Sequence, residues 1–411
     1  MTSSFFLTKT FVFQIYDIPI RLISRFIHIS QQKFSFSFAE KYSGLTSKRI
    51  LVAPLDWGLG HVTRCIPIVR ELLAQGCEVW LAAEGKHARL LQLEFPDLPI
   101  LTLKGYRIRY THHNHGKWFA WNIVRQIPQI LLTIRYEHEW LQQMQHHYRF
   151  DAIISDNRFG LFHPEIPCVF MTHQLQILVP GWMEKLPGPS AWLRQLNDRY
   201  IRRFAACWIP DWPGSTNLAG KLSHPANLPD HARYIGPLSR FEAIPDIPKI
   251  YDVVALISGP EPQRSLLEKQ LVTQLREAPI QSLLIRGMPD EPFQKTRLSN
   301  HLTIISHLPA AELNQVMQSA HAIISRSGYT TIMDLVAINR KAIFIPTPGQ
   351  TEQEYLAAYL QQQGAFPYCT QSAFHWHEQM DRLSHFPSPA DHFSLPMDRY
   401  KSIITDFLAS L

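Results

Sequence analysis

The chain has 411 residues, 45% of them hydrophobic and 18% charged, a globular balance that excludes wholesale disorder and implies about two domains. Forty Lys and Arg against 34 Asp and Glu leave a formal charge of +6. That suits an anionic ligand or an anionic membrane surface, but the basic residues form no tract and no recognised motif, which excludes nucleic acid as the leading partner.

Residues 1–48 mix aromatics with spaced basic residues and lack a secretory signal's apolar core and cleavage site. They read either as an interfacial amphipathic segment or as sequence upstream of the native start. From Arg49 the pattern becomes regular. "RILVAPL" is a short buried strand, "WGLGH" a loop, and the apolar spacing of 62–73 a helix ended by Gly76; "CEVWLAA" at 77–83 is the next strand. A strand, helix and strand in this order predict a parallel, right-handed crossover. An amphipathic stretch over 118–147 follows, then the strands "DAIISD" and "PCVFMTH". Residues 209–249, rich in Pro, Gly, Ser and Asn, read as a connection between domains.

A second α/β run begins at "YDVVALIS". It predicts a helix over 262–277, strands "QSLLIRG" and "LTIISHL", a helix over 309–320, strand "AIISR", a helix over 329–338, strand "KAIFIPT" and a helix over 352–363. Such alternation predicts a doubly wound parallel sheet. The apolar stretches are too short and too polar to span a bilayer, which takes about 20 apolar residues. Five cysteines, an odd number without C-x-x-C, predict no disulfide framework and fit a reducing cytoplasm.

Two stretches carry chemistry. In "GLGHVT", Gly58 and Gly60 permit a tight turn and a close backbone approach to phosphate at a helix start. Thr63 stands where a dinucleotide fingerprint has its third glycine, although Glu84 ends the next strand as a ribose-binding acid would. His61 reads as a general base, a phosphate donor, or a loop histidine bonded to backbone. In the second run, Ser327, Gly328, Tyr329 and Thr330 lie between a strand end and a helix start, where free N–H groups attract phosphate. Asp334, a turn later, suits a ribose diol, and Gln353 and Glu354 open the next helix on the same rim. The histidines of 111–118 and 144–148 lack carboxylate or cysteine partners at ligand spacing, so no metal site is predicted. Arg107, Arg109, Tyr110, Trp118 and Trp121 interleave basic and aromatic character and suit an anionic or lipid-linked acceptor.

"SRSGYTTIMDLVA" with "KAIFIPTPGQTEQEYLAAYL" resembles the UDP-sugar half of the family 28 glycosyltransferases, and "GLGH" resembles that family's N-terminal Gly-rich loop. The resemblance implies a GT-B fold of two facing Rossmann-like doubly wound domains. The boundaries expected are an extension over 1–48, an acceptor domain with its linker over 49–240, a donor domain over 241–390, and a terminal helix within 391–411 that packs back on the first domain. It implies a hexosyltransferase, N-acetylglucosaminyl transfer included, that inverts a UDP-sugar donor without cofactor or metal. The acceptor would be lipid-linked or part of the cell envelope, met by a cytoplasmic protein at the inner membrane face.

Gly328 and Tyr329 would lie against diphosphate or base, Asp334 would take the ribose, Gln353 would read the sugar, and Arg240 of "IGPLSR" would face phosphate. His61 would polarise acceptor or diphosphate, with His61 or Asp156 as the base. The family's Gly-Gly-Ser-Gln-Gly loop is here "SGPEPQR", which keeps Gly259 but puts Pro260 at its serine; "MTHQL" at 171–175 replaces its His-Glu-Gln-Asn, and Glu354 its second Gln. Two other classes compete: a nucleotide-sugar sensor that has lost transfer, and a nicotinamide oxidoreductase using Gly58, Gly60 and Glu84.

Overall fold

Central strands of a parallel sheet are covered on both faces and must be apolar throughout. In the computed structural model, which describes residues 47–106, 117–177, 189–289 and 291–411, the strand at Arg49–Pro54 (β1) meets this demand: only its first residue is not fully buried. Side chains of 117–127 and 189–193 lie outside the description, as do 1–46 and the basic and histidine-rich stretch over 107–116.

The first sheet joins β1 to Glu78–Ala83 (β2), Ile100–Thr102 (β3), Ala152–Asp156 (β4), Cys168–Met171 (β5), Ala206–Ile209 (β6) and Ala232–Tyr234 (β7). All pairings are parallel, in the order β3-β2-β1-β4-β5-β6-β7. The order reverses between β1 and β4. Ligands of open α/β sheets bind outside the carboxyl ends of strands at such a reversal, so the loop after β1 and the end of β4 are the positions to inspect. Helix α1, Leu59–Ala74, starts directly from that loop. Helices Gly85–Glu94 (α2), Lys117–Tyr148 (α3) and Pro189–Ile201 (α4) complete this half.

The second sheet has the order β10-β11-β9-β8-β12-β13. It comprises Tyr251–Leu256 (β8), Ser282–Ile285 (β9), Lys295–Arg297 (β10), Leu302–Ile305 (β11), Ala320–Ser325 (β12) and Ala342–Phe344 (β13), with β10 antiparallel at the edge. Its reversal falls between β8 and β12. The helices are Gln263–Glu277 (α5), Ala310–Gln318 (α6), Tyr329–Ala337 (α7) and Thr351–Gln362 (α8), each within two residues of the sequence-based expectation. Helices Trp376–Ser384 (α9), Pro389–His392 (α10) and Arg399–Ala409 (α11) close the chain. The two sheets make two Rossmann-like domains, each with its own core: Leu51, Ile153, Phe170 and Ile209 belong to the first, and Val253, Leu284, Ile324 and Ile343 to the second.

Residues 209–249 are not a plain connection. They contain β7 and bury Trp212, Leu218 and Leu222. Asp211 organises the stretch: its carboxylate accepts from the backbone N–H of Trp212, Leu218 and Ala219 and from the Ser223 hydroxyl. Irregular backbone can be buried here because a side chain meets its polar groups. After α10 the chain returns to the first sheet, where Trp212 Nε1 donates to Pro396 O (2.9 Å), Gln75 Nε2 to Thr405 Oγ1 (2.9 Å), and Phe407 packs edge-on to Trp208. Residues Lys48–Leu411 form one unit, so contacts between the two sheets' loops describe a single body.

Candidate active site

Both reversals point into one cleft. Gly58, with φ at +82°, turns the chain from β1 into α1 in a conformation that costs a side-chain-bearing residue energy. Gly60 O accepts from Thr330 Oγ1 of α7 (3.1 Å), and a Cβ on Gly60 would come within 2.9 Å of that hydroxyl. The N-termini of α1 and α7 are thereby held against each other. Each leaves first-turn N–H groups without intrahelical partners, and two positive helix ends in one place favour an anion.

His61, in the first turn of α1, is the residue this arrangement exposes. Its Nδ1 lies 2.9 Å from Asp156 Oδ2 at the end of β4. Asp156 is fully buried and receives Arg64 as well, with Nε 3.0 Å from both carboxylate oxygens and a further short contact from Nη2. Burial would raise the Asp156 carboxyl, but the charge of Arg64 and the hydrogen bonds from His61 and Arg64 outweigh it and hold the group below the ordinary range. Arg64 Nη2, which carries two N–H groups, stands as close to His61 Nδ1 (2.9 Å), but an ionised Asp156 can only accept, so the Asp156 contact requires a proton on Nδ1. His61 therefore carries its proton on Nδ1, and Nε2, which has no hydrogen-bond partner among the described residues, presents its lone pair. Burial first, and then the Arg64 charge, lower the His61 pKa against the opposing pull of Asp156. The ring is neutral at pH 7. Asp156, expected as one of two candidate bases, has both oxygens committed to His61 and Arg64.

Arg64 continues outward. Its Nη1 donates to His173 Nδ1 (3.0 Å), and His173 Nε2 lies 2.9 Å from Glu352 Oε1 in α8; Gln174 Nε2 donates to Glu352 Oε2 (2.6 Å). Arg64, His173 and Glu352 are not among the residues that the sequence singles out. Arg64 carries a signal, lying three residues after His61 on the same helix face. His173, two residues beyond β5, is marked only as part of "MTHQL", set against the family's His-Glu-Gln-Asn, and Glu352 at a helix start carries none.

The other candidates fall at the same cleft with changed roles. Ser327 Oγ donates to Gln353 O (2.7 Å), and Gln353 Oε1 accepts from Thr347 N (2.8 Å), so these side chains first lock the loops after β12 and β13 together. Tyr329 does not lie open to a ligand. Its hydroxyl donates to Pro210 O (2.7 Å), and its ring stacks on His173 at 4.1 Å and 6°, because the two domains meet there. With Thr330 also engaged, the backbone N–H groups from Gly328 onward are what α7 offers a phosphate.

Asp334 is buried, not solvated. Its Oδ1 accepts from Ser239 Oγ (2.6 Å), Arg240 stands beside it, and burial pushes its pKa up to about 6 despite that arginine. The Arg240 guanidinium lies 4.8 Å over the Phe241 ring, and its Nε has no partner among the described residues. Gly259, with φ at +111°, still turns the loop after β8. The first turn of α5 behind it is occupied, however: Glu261 accepts from Ser265 N (3.2 Å) and from Arg264 Nε (2.6 Å). A carboxylate already fills that helix end, which leaves Gly259 a poorer phosphate contact than its sequence suggests. Glu354 is turned back to Gly349 N (2.8 Å). Glu84 Oε1 accepts from Gly105 N (2.8 Å), a commitment to the neighbouring loop that a ribose-binding acid would have to break. Among the described residues no three His, Cys, Asp or Glu side chains gather as metal ligands, and no helix is long and apolar enough to cross a membrane.

Known proteins share this construction. Residues 262–386 match the glycosyltransferase family 28 C-terminal domain. An uncharacterized glycosyltransferase of Methanosarcina mazei is 23% identical over 332 residues, 77% of this chain and 84% of that one. A UDP-N-acetylglucosamine--N-acetylmuramyl-(pentapeptide) pyrophosphoryl-undecaprenol N-acetylglucosamine transferase of Methylorubrum extorquens is 47% identical over 60 residues, 14% of this chain and 16% of its own. In fold, the chain is similar to MurG of Acinetobacter baumannii (TM-score 0.52, 17% identity, 89% of this chain and 100% of that one). It is also similar to the glycosyltransferase SnogD of Streptomyces nogalater (0.55, 16%, 87% and 99%). With two α/β domains closing on one cleft, the chain has the GT-B fold, and its second domain matches the C-terminal domain of the family 28 glycosyltransferases.

Proposed function

We propose that the chain transfers a hexosyl group from a UDP-sugar to an acceptor hydroxyl in a single inverting displacement, with His61 as general base. The observation that carries this reading is the open Nε2 of a neutral His61, oriented by Asp156 beside the paired N-termini of α1 and α7. The acceptor oxygen forms its bond to the anomeric carbon as the carbon–oxygen bond to the diphosphate breaks. The hydroxyl proton passes to Nε2, and UDP leaves with the bonding pair, its growing charge met by helix N–H groups and Arg240. Asp334 accepts from the ribose hydroxyls, and Gln353, whose Oε1 already accepts from Thr347 N, donates to the sugar through Nε2. A cell-envelope or lipid-linked acceptor accords with the name of the Methylorubrum relative. It accords also with peripheral contact at a membrane face.

Calorimetry with UDP-, GDP- and dTDP-sugars tests the donor. UDP compounds are expected to bind, and Asp334→Ala to weaken UDP about tenfold or more, the worth of a hydrogen bond to a charged group. Because burial raises Asp334 to about 6, its carboxylate supports UDP affinity above that pH, and the support fades as pH falls through it. Preferential NADH binding would overturn the reading. UDP-sugar binding with neither transfer nor hydrolysis would favour the sensor.

A further inference from the structure

The groups from His61 to Glu352 form one continuous polar chain, and chemistry fixes nearly every proton in it. Arginine has donors only, so His173 Nδ1 must accept from Arg64 Nη1. The single proton of a neutral His173 then lies on Nε2, facing Glu352 Oε1. Glu352 accepts a second bond from Gln174. Burial would raise the Glu352 carboxyl, but the hydrogen bond from His173 and the charge of Arg64 hold it below its ordinary value. The His173 ring cannot swing freely, because Tyr329 stacks on it and is itself anchored to Pro210 O.

Arg64 is thus stretched between two acidic ends. One is Asp156, which orients His61; the other is Glu352, which belongs to the opposite domain. We propose that Glu352 is a positioning residue for His61, acting across the cleft through His173, Arg64 and Asp156, so that docking of the second domain holds His61 in its Nδ1–H form. The proposal rests on the proposed function only in taking His61 as the base. The titratable and charged groups facing His61 are Arg64 from α1, Asp156 from β4, His173 from beyond β5, on which Tyr329 of α7 stacks, and Glu352 from α8. Without the Glu352 charge, the Arg64 cation beside His61 is offset by Asp156 alone. The proton affinity of His61 falls further.

Long-range ¹H–¹⁵N spectra of the full chain labelled in histidine read this directly, with His61 assigned by its loss in His61→Gln. The wild type is expected to show a neutral Nδ1–H His61. Glu352→Gln is expected to move its titration midpoint downward by about half a pH unit or more, a shift well above the precision of such titrations. Glu139→Gln, which removes an exposed carboxylate paired with Arg135 on α3, is the control and leaves His61 unchanged. His173→Phe breaks the relay and is expected to disturb the His61 signals, whereas His173→Gln, whose amide both accepts and donates, preserves them. Identical His61 tautomer and titration in Glu352→Gln and wild type overturn the proposal. If Glu352→Gln does not fold, unchanged His61 signals in His173→Phe overturn it equally. Failure of UDP to bind removes the donor reading alone, because the His61 tautomer and titration are measured without any nucleotide.

Discussion

His61→Ala is expected to lower kcat for UDP-sugar turnover about 10²–10⁴-fold, the usual contribution of a positioned general base, while UDP affinity stays essentially unchanged. The split follows from position. In the proposed reaction His61 meets the acceptor hydroxyl through Nε2, whereas Asp334 and Gln353, the residues proposed to recognise the donor, lie in the other domain and keep their own partners. The pH dependence supplies a second reading. Only the neutral ring can take a proton, and burial and Arg64 lower the His61 pKa from 6.5. Wild-type kcat should therefore rise with pH through an inflection below 6.5 and be flat above it, and the alanine variant should lose that limb. Asp156→Asn behaves differently. It costs turnover by releasing the imidazole, and it also costs stability, because Arg64 loses the carboxylate it holds in the interior. A His61→Ala chain that keeps kcat within about tenfold of wild type would place the base elsewhere, since that is less than the smallest effect such a group ordinarily has.

How far the sequence discloses this site depends on where each residue's partner lies along the chain. His61 stands out beside Gly58 and Gly60, because a Gly-rich turn into a helix is a local event. Its relay does not stand out: Asp156 lies 92 positions from Arg64, and Glu352 lies 179 from His173. These pairs meet only because two sheet reversals face each other. Alternating strands and helices are legible for a related reason, since buried parallel strands are continuous apolar runs such as "ILVA" in β1. Residues 209–249 show the opposite case. Proline and glycine announce that the backbone is irregular, but they do not say whether it is solvated or, as around Asp211, buried and satisfied by one carboxylate. Tyr329 misleads in the same way. Its place at a helix start is a sequence feature, but its pairing with His173 is made by the closure of two domains.

Arg158→Ala is expected to cost about 3–5 kcal/mol of stability, the range found when one partner of a buried ion pair is removed. Arg158 and Glu137 are both shut away from solvent, with Nη1 2.9 Å from Oε1. Glu137 also accepts from the Tyr106 hydroxyl (2.9 Å) and from Gly160 N (3.0 Å), while Arg158 donates to Pro54 O (2.8 Å) and Lys104 O (3.3 Å). The pair therefore ties α3 to the carboxyl ends of β1 and β4 and to the loop after β3, the rim that presents His61 and Asp156. Burial already raises the Glu137 pKa above 4.5, with the Arg158 charge opposing it. Loss of that charge raises it further, so the variant's folded state takes up a proton that the unfolded chain releases near 4.5. Its deficit relative to wild type must grow as pH rises from about 5 to 8, and shrink toward acid, where Glu137 is neutral in both states. Denaturant titrations at pH 5 and pH 8 measure this directly. Glu137→Gln in the same chain should recover part of the loss at pH 8 by removing the stranded charge. It cannot recover all of it, because Pro54 O and Lys104 O still lack the guanidinium. An Arg158→Ala deficit that stays the same at both pH values would mean that Glu137 escapes to water once its partner is gone, and that α3 is not clamped to this rim.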